Sequence, residues 1–216
     1  PDPDFRRNRL VYLSYAEADP ADADRNGLAV AQAELSVDRS RLERLRVIFR
    51  QSPKVASSGH FGGRLVFARS GELFATLGDR QQDSERDKAQ YLARHHGKVV
   101  RILTDGRIPA DNPFLQVAGA RPEIWSLGHR NPQGAALHPD SGELWISEHG
   151  PQGGDEINRV LPGRNYGWPV VTHGCEYGTC LSIGEGSRKH GMEDPLTIWV
   201  PRSIAPSGLV FYSGSR

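Results

Sequence analysis

The sequence contains little sulfur, few aromatic residues and almost no net charge. Its 216 residues include two cysteines and one methionine, and aromatic residues make up 8%. The 27 basic residues nearly balance the 26 acidic ones, so a net charge of +1 provides no global field that would attract nucleic acid or an anionic membrane. No apolar run approaches the ~18 residues of a membrane-spanning helix. We therefore expect neither a nucleic-acid partner nor a membrane span.

Glycine (24) and proline (15) are abundant instead, which favours short strands joined by turns over long helices. Helical periodicity is weak, and its best candidate is the charged stretch 87–95. Runs with strand character, separated by Gly, Pro, Asn and Asp turn signals, occur at 9–15, 28–36, 45–49, 64–68, 72–77, 98–103, 123–127, 134–137, 143–147, 196–200 and 208–212. The chain is therefore predicted to be all-β.

Two turns repeat at a spacing of 71 residues. Segment 70–74 reads SGELF and segment 141–145 reads SGELW, and each is flanked by alternating apolar runs, as in a β-hairpin. A looser third copy lies near 206–209. Four strands with long loops fill such a period, so we expect about three blades of a β-propeller. A β-sandwich, whose strands also recur with turns, is the competing architecture.

The chain begins and ends beside strand-like runs, which would leave unpaired sheet edges. We expect residues 1–216 to be a partial β-propeller, an internal fragment of a longer protein whose N- and C-terminal blades lie outside it. A signal peptide would then belong to the missing N-terminal part.

Polar residues occupy matching edges of the two hairpins. His60 and Asp79 flank the first hairpin, and Asn131 and Gly150 stand at the equivalent positions of the second. Histidine accepts protons near neutral pH, and it works better as a base when a carboxylate holds its second nitrogen. If the first hairpin pairs around its turn, His60 and Asp79 can face each other. The alternative is a histidine that only hydrogen-bonds a loop.

Three further segments carry polar groups with more than one interpretation. Arg130 and Asn131 lie in GHRNPQG, where a guanidinium suits an anion or serves structure alone. Segment 148–158 (EHGPQGGDEIN) combines carboxylates with Gly and Pro, which fits either a calcium loop or a solvated acidic turn. Cys175 and Cys180 enclose four residues and form a small disulfide ring, two free thiols or, least favoured, a metal half-site.

Taken together, the motifs GHFGGRL (59–65), EIWSLGHRNPQG (123–134), EHGP with GGDEIN (148–158) and NYGWP (165–169) resemble the soluble PQQ-dependent sugar dehydrogenases. This is the glucose/sorbosone dehydrogenase group, and the resemblance is greatest to its periplasmic aldose sugar dehydrogenases. It runs along nearly the whole chain. It implies a six-bladed β-propeller, pyrroloquinoline quinone (PQQ) and Ca²⁺ as cofactors, and oxidation of aldose sugars at C1 to the lactone.

The resemblance also implies roles for individual residues. His60 matches the base that removes the C1 hydroxyl proton, Asp79 the carboxylate that holds it, and Arg130 and Asn131 cofactor contacts. Tyr177 matches an aromatic residue of the cofactor pocket, and the Cys175–Cys180 pair resembles a small disulfide beside it. The metal ligands implied are Gly150 and Pro151 for an active-site calcium and Glu156 and Tyr166 for a second, structural one.

Other cofactor contacts of this family come from segments outside residues 1–216, so we expect activity only from a full-length parent. The expected location is periplasmic or secreted. The expected partner is an aldose sugar, with an electron acceptor that the residues do not identify and a homodimer as one assembly. The alternatives are a metal-dependent, lactonase-like propeller hydrolase and a non-catalytic binding propeller.

Overall fold

The computed structural model describes residues 1–214, which form short antiparallel strands joined by long loops. The strands are β1 (Leu10–Asp19), β2 (Asp22–Leu35), β3 (Leu42–Arg50), β4 (Gly62–Phe67), β5 (Leu73–Leu77), β6 (Lys98–Ile102), β7 (Ile124–Leu127), β8 (Pro132–Leu137), β9 (Leu144–Glu148), β10 (Asp155–Val160) and β11 (Thr197–Trp199). The helices are α1 (Phe5–Asn8), α2 (Asp83–Arg86) and a 3₁₀ turn (Asp87–Gln90). No helix in this part of the chain is long and apolar enough to cross a membrane.

The strands form three sheets, each built from consecutive strands. The first sheet holds β1–β2–β3, the second β4–β5–β6–β7 and the third β8–β9–β10–β11. All neighbouring strands are antiparallel. The two predicted hairpins are β4–β5 and β8–β9, at the same place in the second and third sheets. This repetition is the one that the 71-residue spacing predicts.

The second sheet lies between the other two and is buried on both faces. Leu73 and Leu77 of β5 pack toward the first sheet, against residues such as Val30. Phe74 faces the other way and packs against Ile146 of the third sheet. Because alternate residues of a strand point to opposite faces, β5 carries apolar residues on both faces, and Thr76 is its one polar side chain. Face-to-face packing of successive four-stranded sheets is the arrangement expected of propeller blades.

Two sequence predictions about secondary structure are wrong within the described residues. The run 208–212 forms no strand; it lies beside the third sheet, where Phe211 packs on His138 and Trp145. The helix predicted at 87–95 ends at Gln90 instead. The buried ammonium of Lys98 accounts for this end, because it donates hydrogen bonds to the carbonyls at 88 and 89, which a continuing helix would use itself.

Strand β10 is an element that the sequence analysis missed. Its sequence, DEINRV, has too little apolar alternation to predict a strand. It nevertheless pairs with both β9 and β11, and Asp155 and Asn158 within it are buried. A buried strand with polar side chains indicates that those side chains serve a site.

Candidate functional site

His60 and Asp79 meet at one edge of the second sheet. Gly62 of β4 pairs with Leu77 of β5, so the residues just beyond these strand ends come together. The Nδ1 of His60 lies 2.6 Å from Oδ1 of Asp79. The structure therefore brings together the two side chains that the sequence analysis placed opposite each other.

The carboxylate of Asp79 is fully engaged. It is 1% exposed, and it also accepts hydrogen bonds from the backbone N–H of Gln81 (2.8 Å) and from Nε1 of Trp168 (2.8 Å). Because an ionised carboxylate only accepts, Nδ1 of His60 must be the donor, which leaves a lone pair on its Nε2. Among residues 1–214 that Nε2 makes no hydrogen bond. The imidazole is therefore held on one side and free to accept a proton on the other.

The backbone around this pair is unusual. His60, Arg80 and Gln81 all have positive φ angles, of 44°, 72° and 64°. Side-chain-bearing residues rarely adopt this conformation, and such strain clusters at functional sites. Gly78 lies so close to the His60 loop that an added Cβ would sit 2.2 Å from the His60 carbonyl oxygen. Only glycine therefore permits the approach of the two loops.

Arg130 lies at the adjoining edge of the third sheet and is 7% exposed. Its Nη1 donates to the carbonyls of His149 (3.0 Å) and Gly150 (2.6 Å), while its buried Nε has no partner. Its guanidinium lies 5.3 Å from the ring of Trp168 and 6.0 Å from that of Tyr177. Among the described residues no carboxylate pairs with it. A buried cation without an acidic partner is suited to an anionic ligand.

The two sheet edges are tied together directly. The backbone N–H of Asp79 donates to the carbonyl of Arg130 at 2.8 Å. Asn131 lies against Gly78, whose added Cβ would be 3.1 Å from the Asn131 Oδ1. The base and the Arg130–Asn131 pair consequently belong to one site that spans two sheets.

A second cluster lies deeper in the third sheet. Glu148 of β9 and Glu156 of β10 stand directly opposite each other, and both line a small cavity with Gly154 and Tyr166. Burial, followed by the nearby charge of Glu148, raises the pKa of Glu156 to about 8. The buried Oε2 of Glu148 accepts no hydrogen bond within the described part of the chain but lies 3.3 Å from Nδ1 of His129, and Oε2 of Glu156 accepts from Nδ2 of Asn158 at 3.0 Å. Two carboxylates that face each other in this way suit a cation.

Gly150 and Pro151 line the same cavity. The Gly150 carbonyl accepts from Nη1 of Arg130 at 2.6 Å and from the Tyr177 hydroxyl at 3.5 Å, whereas among the described residues the Pro151 carbonyl accepts only from Oγ of Ser203, at 3.1 Å. A carbonyl oxygen has two lone pairs, so one remains on that of Pro151. In contrast, both carboxylate oxygens of Asp155 accept hydrogen bonds from backbone N–H groups, those of Gly150, Ile204 and Ala205. Across residues 1–214 no three His, Cys, Asp or Glu side chains form a metal site by themselves.

The two cysteines are joined, as one of the open alternatives predicted. The Cys175–Cys180 disulfide closes a small loop that carries Tyr177. The backbone of Cys175 pairs with Gln152, and Gln152 Oε1 accepts from the N–H of Gly178 at 3.1 Å. The Tyr177 hydroxyl lies 3.5 Å from the Gly150 carbonyl. The disulfide loop is thus fixed beside Arg130, although the Tyr177 side chain is largely exposed.

Sequence reasoning missed two residues of this site. Trp168 was quoted only as part of the NYGWP motif, and its contact with Asp79 crosses 89 residues of chain. Glu148 was noted in a polar cluster, but its position opposite Glu156 depends on the β9–β10 register. Neither contact can be predicted from the residues that neighbour it in the sequence. His129 is stacked on Tyr166 and bonded to Ser126, and its Nδ1 lies 3.3 Å from Oε2 of Glu148.

Comparisons with known proteins agree with this arrangement. The family described as Glucose / Sorbosone dehydrogenase matches residues 1–216. Aldose sugar dehydrogenase YliI of Escherichia coli (strain K12) is 46% identical over 215 residues, which is 99% of this chain and 56% of the relative. A solved structure of a glucose dehydrogenase, 49% identical, superposes with a TM-score of 0.94 and covers all of this chain and 61% of that one.

A third relative is the PQQ-bound form of an aldose sugar dehydrogenase from Streptomyces coelicolor. It is 28% identical, with a TM-score of 0.75 over 96% of this chain and 54% of that one. The chain thus spans little more than half the length of these relatives. The predicted all-β propeller fold is confirmed, with the three sheets as its blades. The chain belongs to the glucose/sorbosone dehydrogenase family.

Proposed function

We propose that the full-length protein oxidises aldose sugars at C1 to the lactone, with PQQ as the electron acceptor in the site. One observation carries the proposal: an imidazole with a free Nε2, held by a buried carboxylate, shares one edge with a buried guanidinium that has no acidic partner. The names of the relatives, aldose sugar and glucose dehydrogenases, support the substrate class.

His60 acts as the general base in this proposal. Oxidation of an alcohol carbon requires its C–H hydrogen to leave with two electrons while its hydroxyl gives up a proton. Nε2 of His60 takes the C1 hydroxyl proton, the C1=O bond of the lactone forms, and the imidazolium is stabilised by Asp79 through Nδ1–H. General-base catalysis of this kind is worth ~10²–10⁴ in rate.

The residues at this edge fit an anionic planar cofactor. When bound, PQQ supplies the electrophilic carbon that accepts the hydride. Arg130, with its orphaned buried Nε, opposes the negative charge of the cofactor, and Asn131 offers an amide to it. The ring of Tyr177 provides an aromatic wall 6.0 Å from the same guanidinium. We propose these side chains as the cofactor contacts contributed by residues 1–216.

Two calcium sites are proposed, and the residues fit them unequally. The structural site suits a cation well, because the buried Glu148 and Glu156 carboxylates face each other beside Tyr166. At the active-site position, the Pro151 carbonyl accepts one hydrogen bond, whereas the Gly150 carbonyl already accepts from Arg130 and from the Tyr177 hydroxyl. A calcium ion held by the Gly150 carbonyl would share that oxygen with the guanidinium, and the negative charge of an anionic cofactor would offset the repulsion between the two cations.

The decisive experiment is reconstitution of the full-length natural protein with PQQ and Ca²⁺, followed by dye reduction with glucose and other aldoses. We expect turnover that falls ~10²–10⁴-fold in His60→Ala. No turnover in the wild-type protein, or full turnover in the variant, would overturn the proposal. Hydrolysis of a lactone without PQQ would favour the hydrolase alternative, and the absence of a saturable absorbance change with PQQ would favour a binding propeller.

The same preparations test three remaining predictions. Residues 1–216 alone are expected to show no turnover, because part of the cofactor contact set is predicted to lie in other segments. Periplasmic or secreted localisation is tested by fractionating cells that express the full reading frame. Light scattering of the purified protein tests the predicted homodimer.

A further inference from the structure

We propose that Trp168 is a positioning residue that sets the orientation of the His60–Asp79 pair and links it to Arg130. The catalytic consequence rests on the function proposed above. The structural part is that the indole N–H of Trp168 orients the His60 imidazole through Asp79, and it depends only on contacts within this chain.

Trp168 reaches Asp79 from the side opposite His60. Its Nε1 donates to Oδ2 of Asp79 at 2.8 Å, while Oδ1 of the same carboxylate contacts His60 at 2.6 Å. Both Trp168 and Asp79 are buried, at 5% and 1% exposure. Water therefore does not replace the indole donor when it is removed.

Donors on both oxygens determine how the carboxylate is rotated. With only the His60 and Gln81 donors, both on Oδ1, the carboxylate could turn about its Cβ–Cγ bond and carry the imidazole with it. The Trp168 bond on Oδ2 prevents this rotation. The direction in which Nε2 of His60 faces is therefore determined by Trp168 as well as by the His60 loop.

Trp168 is itself held firmly by other loops. Its backbone N–H donates to the Gly128 carbonyl at 2.9 Å, and its carbonyl accepts from Nε2 of Gln90 at 2.7 Å. Its side chain packs with Ala89 and Ile183 in a separate apolar cluster. Because Trp168 is held in place by these contacts, its indole N–H can fix the orientation of the Asp79 carboxylate.

Two cations also lie over the indole ring of Trp168. The guanidinium of Arg130 lies 5.3 Å from the ring centroid and that of Arg86 lies 5.7 Å from it. Cations at such distances are attracted to the face of an indole. One side chain thus contacts the carboxylate behind the base and the guanidinium proposed to bind the cofactor. This makes Trp168 the direct side-chain link between the two halves of the site.

The chain offers matched controls for removal of the indole N–H. Trp125 and Trp145 also have buried Nε1 groups, but neither makes a hydrogen bond within the described residues. A Trp→Phe change at either position removes the same atoms as Trp168→Phe and loses no hydrogen bond. Any difference between Trp168→Phe and these controls reports the bond to Asp79.

The first measurement is proton NMR of the cofactor-free, full-length protein. The Nδ1–H of His60, bonded to a buried carboxylate, should resonate far downfield and be identified by its loss in His60→Gln. We expect Trp168→Phe to shift or broaden this resonance, while Trp125→Phe and Trp145→Phe leave it unchanged. An unchanged resonance in a folded Trp168→Phe protein would overturn the proposal.

The second measurement is steady-state kinetics of the reconstituted variants. Loss of a hydrogen bond to a buried charge predicts a fall in kcat of about 10–100-fold, with little change in KM for the sugar. Equal kcat values for Trp168→Phe and the two controls would also overturn it. If the wild-type protein has no turnover but the NMR shift appears, the proposed function fails and the positioning role of Trp168 stands.

Discussion

The two hairpins with the repeated SGEL turn differ in how their carboxylates are satisfied. Next to the first hairpin, Asp79 is surrounded by donors from His60, Gln81 and Trp168. In the second, Glu148 lies at the end of β9 opposite Glu156, and the two buried carboxylates face each other. The same backbone unit thus carries a carboxylate held by several donors in one sheet and a pair of facing carboxylates in the next. We propose that the first assists proton transfer and that the second holds a cation.

This difference shows that the repeat supplies positions and that the surroundings supply the chemistry. A carboxylate that accepts hydrogen bonds from several donors orients a neighbouring base. The facing carboxylates have a single side-chain donor within the described residues, Asn158 to Glu156, and burial with the charge of Glu148 raises the pKa of Glu156. The proposed structural calcium position therefore lies in a different sheet from the base.

Exchange of the polar residues of the two hairpins is the strongest test of this comparison. In His60→Asn the base is lost, and turnover is expected to fall ~10²–10⁴-fold. The double variant His60→Asn with Asn131→His should remain inactive, because Gly150 stands where an equivalent of Asp79 would be needed. Dye-reduction kinetics measures both, with thermal unfolding as the control for folding. Recovery of activity in the double variant would show the two edges to be interchangeable.

A test confined to the sheet of the first hairpin uses His96, which precedes β6 and is fully buried. Within residues 1–214 its ring makes no hydrogen bond, although Nε2 lies 3.1 Å from Oε2 of Glu85. Burial, then the charges of Lys98 and Lys88, lowers the pKa of His96 to about 3. Between about pH 6.5 and pH 3, the unfolded chain therefore binds a proton at His96 that the folded chain does not bind. As the pH is lowered through this range, His96 should reduce the free energy of unfolding by at most about 1.4 kcal/mol per pH unit.

Replacement of this histidine removes that contribution. In His96→Leu, urea-unfolding midpoints should fall less steeply between pH 6.5 and 4 than in the parent protein. The exposed His190→Leu is the matched control and should retain the parental slope. Parallel slopes for His96→Leu and the parent would mean that His96 is accessible to protons in the folded state.

The proposed cation site beside the second hairpin is tested by the variant Glu156→Gln. We expect the affinity for Ca²⁺ at this site to fall at least about 10-fold, the loss typical even of an outer partner of a metal ligand. The exposed Glu185→Gln should bind Ca²⁺ as the parent does. Calorimetric titration of the full-length protein without PQQ measures this directly. Undiminished affinity in Glu156→Gln would leave the opposed carboxylates without their proposed role.

The smallest effect is expected from opening the disulfide loop attached to the second half. In Cys175→Ser with Cys180→Ser, the unfolding free energy should fall by at most about 2 kcal/mol, since the loop closed is short. The KM for the sugar should rise more than kcat falls, because Tyr177 lies at the rim of the site. Chemical unfolding and steady-state kinetics separate the two effects. A fall in kcat as large as that of His60→Asn would place the loop among the groups that act on the base.

Sequence reasoning found the parts of the site that depend on local register. His60 and Asp79 were predicted together because a tight turn fixes which residues of β4 and β5 face each other. Asn131 follows from the same repeat, and Arg130 was predicted from its place beside Asn131 and from the family resemblance. The strands were predicted where apolar residues alternate or form a short run, which describes nearly all of them.

What the sequence did not reveal depends on contacts between distant segments or on buried polar residues. The indole of Trp168 meets Asp79 only after the sheets have packed. Strand β10 carries Asp155, Glu156 and Asn158 where a strand usually carries apolar residues, so its sequence resembled a loop. The strand predicted at 208–212 was wrong for the opposite reason. Its sequence is apolar, but an apolar sequence forms a strand only where a neighbouring strand is available to pair with it.

Tyr177 is 62% exposed, although its ring lies beside a buried guanidinium. It belongs to a covalently closed appendage that contributes no strand to any sheet and rests on the 150–152 segment. Changes at Tyr177 and Thr179 can therefore alter the shape of this loop with little effect on the sheets, whereas Gly178 has a positive φ of 77° and Glu176 pairs with Arg86. Efforts to alter the sugar preference of the proposed enzyme should begin with Tyr177 and Thr179.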